Sequence, residues 1–179
     1  NIENLSRIQR MNLELQSLDE ENIRTQDEIE TFKKSLKTIE EDINREKGIV
    51  IDANSNEKRL KEEKNQLIEI DSKYYETEKH SNEDLDNAKN KLRIEIDKVK
   101  ELINLQKNQE AIIVLDNCKI IIEKYADSYS KNQNIKEESI KRRERINIID
   151  KEIESWKNLL SNSEKMVNEL SGRKNKLNL

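Results

Sequence analysis

Apolar residues recur every three and four positions along this 179-residue chain, and that period constrains the fold more than anything else in it. Starting from Ile8 as heptad position a, the a series runs Ile8, Leu15, Asn22, Ile29, Leu36, Ile43, Val50, then Glu57, Lys64, Asp71, Glu78, then Leu85, Leu92, Val99. The d series runs Met11, Leu18, Thr25, Phe32, Ile39, Glu46, Ala53, Leu60, Leu67, Tyr74, Ser81, Ala88, Glu95, Leu102. Of these 28 positions 19 are apolar, where a random draw at the chain's 32% hydrophobic content gives about nine. A spacing of 3.5 residues places those side chains along one helical stripe, which is the seam of a coiled coil.

A second seam lies near the C-terminus, with Ile146, Ile153, Leu160, Val167 and Lys174 at a and Ile149, Trp156, Ser163, Leu170 and Leu177 at d. The two frames are not separated by a whole number of heptads, so the register slips or the helix breaks between them. The expected place is 105–134. Two apolar clusters there (Ile112, Ile113, Val114, Leu115; Ile120, Ile121, Ile122, Tyr125) are wider than a two-stranded seam needs, and the polar run 126–134 that follows is the best loop candidate. The predicted fold class is therefore all-α: long coiled-coil helices with a register break or turn around 105–134 and no compact globular core. The segments are 1–104, the break 105–134, and 135–179.

Weak points can be named in advance. The charged a residues Glu57, Lys64, Asp71 and Glu78 leave a thin seam over 57–84, carried by Leu60, Leu67 and Tyr74. Ser81 and Asp84 have capping-box spacing, so a helix could restart before Leu85, although no Pro or Gly enforces a stop. Gly48 and Gly172 fall at outward f positions and need interrupt nothing. Acid-before-base pairs four apart, such as Glu20/Arg24, Glu30/Lys34 and Glu69/Lys73, stabilise an exposed helix face.

Composition then removes whole classes of function. Two glycines and no proline leave no Gly-rich phosphate loop and no turn-rich strand fold. One His80 and one Cys118, far apart in sequence, cannot make a zinc site. Carboxylates abound, but a helical rod offers no pocket to desolvate them. No catalytic residue, cofactor, metal or small-molecule substrate is expected. Cys118 sits on a seam position and reads as a small core filler, a redox or crosslinking role being the alternative. One cysteine and no signal peptide point to a reducing, cytoplasmic setting, and no apolar run is long enough for a bilayer.

Two features carry candidate interactions. Lys141, Arg142, Arg143 and Arg145 form the densest basic cluster, read as a solvated face beside Glu137, Glu138 and Glu144 or as a phosphate-contacting patch. Trp156, the one tryptophan, fills a bulky layer against a partner helix or serves as a docking residue. A coil entered and left in mid-stride reads as a segment of something longer.

Residues 142–157, from Arg142-Arg-Glu-Arg to Glu-Ser-Trp156-Lys, and 163–173, ending Leu-Ser-Gly-Arg173, resemble the hinge-to-head arm of bacterial SMC (structural maintenance of chromosomes) proteins. The opening Leu5-Ser-Arg-Ile-Gln-Arg-Met is similar to the arm just after the hinge. The resemblance implies a mechanical linker between hinge and ATPase head in chromosome condensation and segregation. Its partner would be the other arm strand of the parent chain, with DNA held through the parent complex and a nucleoid-associated location. The family's nucleotide-binding and hinge motifs need glycine-containing loops absent here, so no functional residue carries over. Three alternatives stand beside it: a self-contained coiled-coil scaffold, folded back near 105–134 or paired as a homodimer; the arm of an SMC-like DNA-repair ATPase; and a coil that binds nucleic acid directly through Lys141–Arg145.

Overall fold

The computed structural model describes residues 1–178. The described residues form two helices, α1 (Ile2–Asn104, 103 residues) and α2 (Asn108–Asn178, 71 residues). They divide into two packed units: Lys58–Glu154, and Asn1–Glu57 together with the stretch that begins at Ser155.

The reversal between the helices takes three residues, Leu105–Lys107. Lys107 N–H donates to Leu102 C=O at 2.9 Å and Gln106 N–H to Ile103 C=O at 3.0 Å. That pair of bonds is a Schellman motif, which satisfies carbonyls the helix end would leave open. Its C′ residue must be left-handed, and Gln106 accordingly has φ 61°. Lys107 C=O then accepts from Ala111 N–H at 3.0 Å and starts α2. The break thus sits at the N-terminal edge of the 105–134 stretch. The polar run 126–134, expected as the loop, is helix throughout. Nothing in it forbids helix, and Ser128 and Asn132 lie on its half-buried and buried positions. The helix also continues through 80–84, and Gly48 and Gly172 are both helical.

Within the 58–154 unit the helices run antiparallel, as three cross-links establish. Glu63 meets Arg145, Asp71 meets Arg142, and Ser81 and Asn82 meet Asn132, so the partner's number falls as α1 advances. The same register sets Leu60 level with Ile153 and Leu102 level with Ala111. Every a and d position of α1 from 60 to 102 is buried or half-buried except Tyr74. On α2 the frame of Ile146 runs back without a slip to Ala111, through Val114, Cys118, Ile121, Tyr125, Ser128, Asn132, Ile135, Ser139 and Arg142, all buried or half-buried. The whole phase change between the two seams is therefore absorbed by the turn. By contrast, Ile112, Ile113, Leu115, Ile120 and Ile122 lie off this stripe and are exposed. The core is a single file: Leu60, Ala111, Cys118, Ile149 and Ile153 are its buried apolar residues. Complete burial of one Leu or Ile stabilises by about 1.5–3 kcal/mol, so a few such layers carry the pairing.

In the other unit, Ile43, Ala53 and Leu170 are buried, with Leu36, Ile39, Val50, Leu160 and Val167 half-buried. Lys174 reaches Glu40 at 3.0 Å. All of residues 1–35 are exposed, including the seam residues Ile8 (56%), Leu15 (59%), Ile29 (48%) and Phe32 (55%). The seam written in the sequence from Ile8 onward is thus occupied only from Leu36.

Candidate functional site: a polar interlock between the helices

Two of the charged a positions that thin the seam over 57–84, Lys64 and Asp71, turn out to face charges of opposite sign. Asp71 lies level with Arg142, a d residue of α2, and Arg142 Nε donates to Asp71 Oδ1 at 3.3 Å. The Arg142 side chain is only 13% exposed, and its guanidinium stands 5.2 Å above the Tyr74 ring. An arginine can occupy a seam position because its stem packs like an aliphatic chain while its planar head pairs with carboxylate and stacks on an aromatic face. Lys64, another a residue, donates to Asp150 Oδ1 at 2.6 Å.

Arg145 makes the strongest single link. Its Nε and one terminal nitrogen donate to the two oxygens of Glu63 at 2.7 and 3.0 Å, and its other terminal nitrogen reaches Glu152 at 3.3 Å. The heptad register places Glu63 and Glu152 at facing g positions, where two carboxylates repel. Arg145, one turn pair away on α2, lies across both and cancels the repulsion. A two-pronged, charge-assisted bond of this kind fixes geometry as well as energy. The hydrogen bond from Arg145 holds the Glu63 carboxyl below the ordinary carboxylate range, and Glu63 in turn raises the Arg145 guanidinium.

Asn132 adds a neutral link at a buried a position. Its Nδ2 donates to Asn82 Oδ1 at 2.7 Å and Ser81 Oγ at 3.2 Å, while its own Oδ1 and the Ser139 hydroxyl are buried without partners. A buried amide that finds its acceptors in only one alignment penalises every shifted pairing of the helices.

The basic cluster is therefore split. Arg142 and Arg145 turn inward onto α1, while Arg143 is 66% exposed, 3.7 Å from Asp71, and Lys141 is 68% exposed beside Glu138. Trp156 is half-buried at its d position. Cys118 is 3% exposed at a seam position, and His80 lies on the surface 3.7 Å from Glu83. The acceptors Glu63, Asp150 and Asn82 were not singled out from the sequence, and Asp71 stood there only as a weak point of the seam. Their signal, a polar or charged residue on or beside one seam answering one on the other, appears only once the antiparallel register is known.

Among the described residues no group of three or more His, Cys, Asp or Glu could hold a metal ion, and no helix is long and apolar enough to cross a membrane. Comparison with known proteins gives no matching family model, no matching curated protein and no matching solved structure.

Proposed function

We propose that this chain is a structural strut, a self-pairing coiled-coil hairpin that holds two helices in one fixed alignment and performs no chemistry itself. The observation that carries the reading is the interlock: Arg142 on Asp71 and Arg145 on Glu63 use the most basic stretch of α2 to fasten it to α1. Apolar seams can slide by whole heptads at modest cost, whereas a displaced pair here leaves half-buried charges facing apolar or like-charged neighbours. Residues built to specify alignment suit a part whose task is to keep its ends in register.

The strut has two readings. A helix paired with its own chain favours a self-contained scaffold or the folded-back arm of an SMC-like DNA-repair ATPase. The resemblance of residues 142–157 and 163–173 to SMC arms supports a place in a chromosome-organising ATPase, with nucleotide and DNA handled outside these residues. Direct nucleic-acid binding through Lys141–Arg145 is disfavoured, because three of its four basic residues, Arg142, Arg143 and Arg145, are paired with carboxylates of α1.

The test is intramolecular crosslinking in the full chain on a Cys118→Ser background. Leu67→Cys combined with Ile146→Cys, which the register sets at one level, is expected to close with a short bifunctional thiol reagent at high dilution, without change of mass. Failure to close within one chain, with crosslinks only between chains, would remove the self-pairing strut. For the SMC reading, a flanking reading frame that encodes a hinge upstream and an ATPase head downstream is the expected result.

A further inference from the structure

Ile112 and Ile122 lie off the buried stripe, yet they share one flank of the hairpin with other apolar residues. In an antiparallel pair the e positions of both helices fall on one side of the seam and the g positions on the other, where Glu63 and Arg145 meet. Near the turn the e positions are Ile96 and Ile103 on α1 and Leu115, Ile122 and Tyr129 on α2, with Ile112 at an adjoining b; all stand 42–57% exposed. The register interleaves them, Ile96 falling between the levels of Leu115 and Ile122. Adding e to a and d makes a face three positions wide, the pattern of a helix with neighbours on two sides. This edge adjoins the internal turn, in the middle of the chain.

Its rim carries one sign of charge. From Lys89 to Asn104 and from Asn108 to Lys136 no e or b position holds Asp or Glu, while Lys89, Arg93, Lys100 and Lys119 are exposed there. Asp86, at b, marks the far end. Lys119 lies 3.5 Å from Asp116 on the position behind it, an exposed pair of little strength.

We infer that this edge is a docking groove for a third helix, an amphipathic one whose apolar stripe is flanked by Asp or Glu. Both walls repeat at seven residues, Ile96 to Ile103 and Leu115 to Ile122 to Tyr129, which is the spacing that the knobs of a third helix meet in coiled-coil packing. From Leu115 to Tyr129 the α2 wall runs about 21 Å at 1.5 Å per residue, about four turns of such a helix. Acidic flanks on the incoming helix answer the basic rim, whereas a second copy would bring a basic rim against a basic rim. An anionic lipid surface would also press on Asp97, Asp116 and Glu123, exposed f residues immediately behind the rim; beside a single helix they stay in water.

The inference rests on the antiparallel pairing of α1 and α2, which the Leu67→Cys/Ile146→Cys closure reads separately. Selection on the full chain tests the groove, using a library of peptides about three heptads long with Leu fixed at a and d and the flanking e and g positions randomised. Recovered peptides are expected to be enriched in Asp and Glu at the flanks and to bind less tightly as salt rises. I96D/I122D, altered only at exposed positions, should weaken them by roughly a hundredfold while helix content and closure persist. R93E/K100E/K119E should reverse the preference, toward Lys and Arg flanks. No recovered binder, recovered peptides without acidic flanks, or binding indifferent to I96D/I122D overturns the proposal. Phosphatidylserine vesicles held by the chain and released by I96D/I122D would assign the edge to lipid and overturn the helix. A concentration-dependent doubling of mass abolished by I96D/I122D would do the same in favour of a second copy. Closure without peptide binding removes the docking groove alone, whereas loss of closure in the parent chain removes groove and strut together.

Discussion

Truncating the same side chain at two places on the same stripe separates what the heptad pattern promises from what the fold uses. Leu15 and Leu60 are both leucines at seam positions of α1, but Leu15 is 59% exposed and Leu60 is 0% exposed, level with Ile153 at 8%. Leu→Ala at a buried site costs the transfer energy of the lost atoms plus that of the cavity, about 2–5 kcal/mol across known cases. A single-file core lets neighbours and water reach the gap, which puts Leu60→Ala in the lower half of that range, about 2–3 kcal/mol. That is roughly a 30- to 150-fold shift in the unfolding equilibrium. Leu15→Ala removes atoms already in contact with water and should stay within about 0.5 kcal/mol in the monomer. Guanidinium unfolding followed by helical circular dichroism at low micromolar concentration reads both, and amide exchange around residue 60 reads the local loss without assuming a single transition. Equal costs at the two sites, or a Leu60→Ala cost below about 1 kcal/mol, would refute the assignment of the paired stretch.

Further outcomes follow from the interlock, the turn and one helical glycine. Glu63 is held below the ordinary carboxylate range by Arg145, so its stabilisation is complete above the unfolded value of about 4.3 and is lost as pH falls through the lower folded value. Arg145→Gln should therefore move the onset of acid unfolding to higher pH, and an unchanged acid limb would count against the link. Asn132→Ala should cost about 1 kcal/mol through lost hydrogen bonds; Asn132→Leu, which removes the unpartnered Oδ1 and adds apolar contact, should be the more stable of the two while admitting shifted crosslinks. Gln106→Gly relieves a left-handed residue, and Gly48→Ala adds a Cβ that meets nothing within 4 Å; each should raise stability by up to about 1 kcal/mol in thermal unfolding.

The helices of this chain were legible because aliphatic residues marked the stripe of α1 from Ile8 and of α2 from Ile146. The turn was legible only as a break somewhere in 105–134; its exact place was not, because its left-handed position carries glutamine where glycine would have signalled a stop. Between residues 111 and 142 the pattern misdirects. The buried stripe there includes Cys118, Tyr125, Ser128, Asn132, Ser139 and Arg142, while isoleucines 112, 113, 120 and 122 lie off it. Hydrophobicity finds a seam only where the seam is hydrophobic. Seam positions filled by amide, hydroxyl and guanidinium groups need their partners in view before they read as an interface. For the same reason Lys64 and Asp71 look like flaws along one helix and become fasteners across two. The half-burial of the stripe from Leu36, and its exposure before it, depend on where α2 lies and are not written in α1.

A three-residue reversal also dictates an order of assembly. Once Gln106 adopts its left-handed conformation, Leu102 and Ala111 are already neighbours, and closing that first layer orders fewer than ten intervening residues. Each later layer of the 58–154 unit enlarges a loop whose ends the previous layer has brought together, so the entropic cost of closure is met in small steps. The hairpin closes like a zipper from the turn, through the Asn132 and Arg142 layers, to Leu60 and Ile153. Under tension at residues 58 and 154 it opens in the reverse order, one layer at a time.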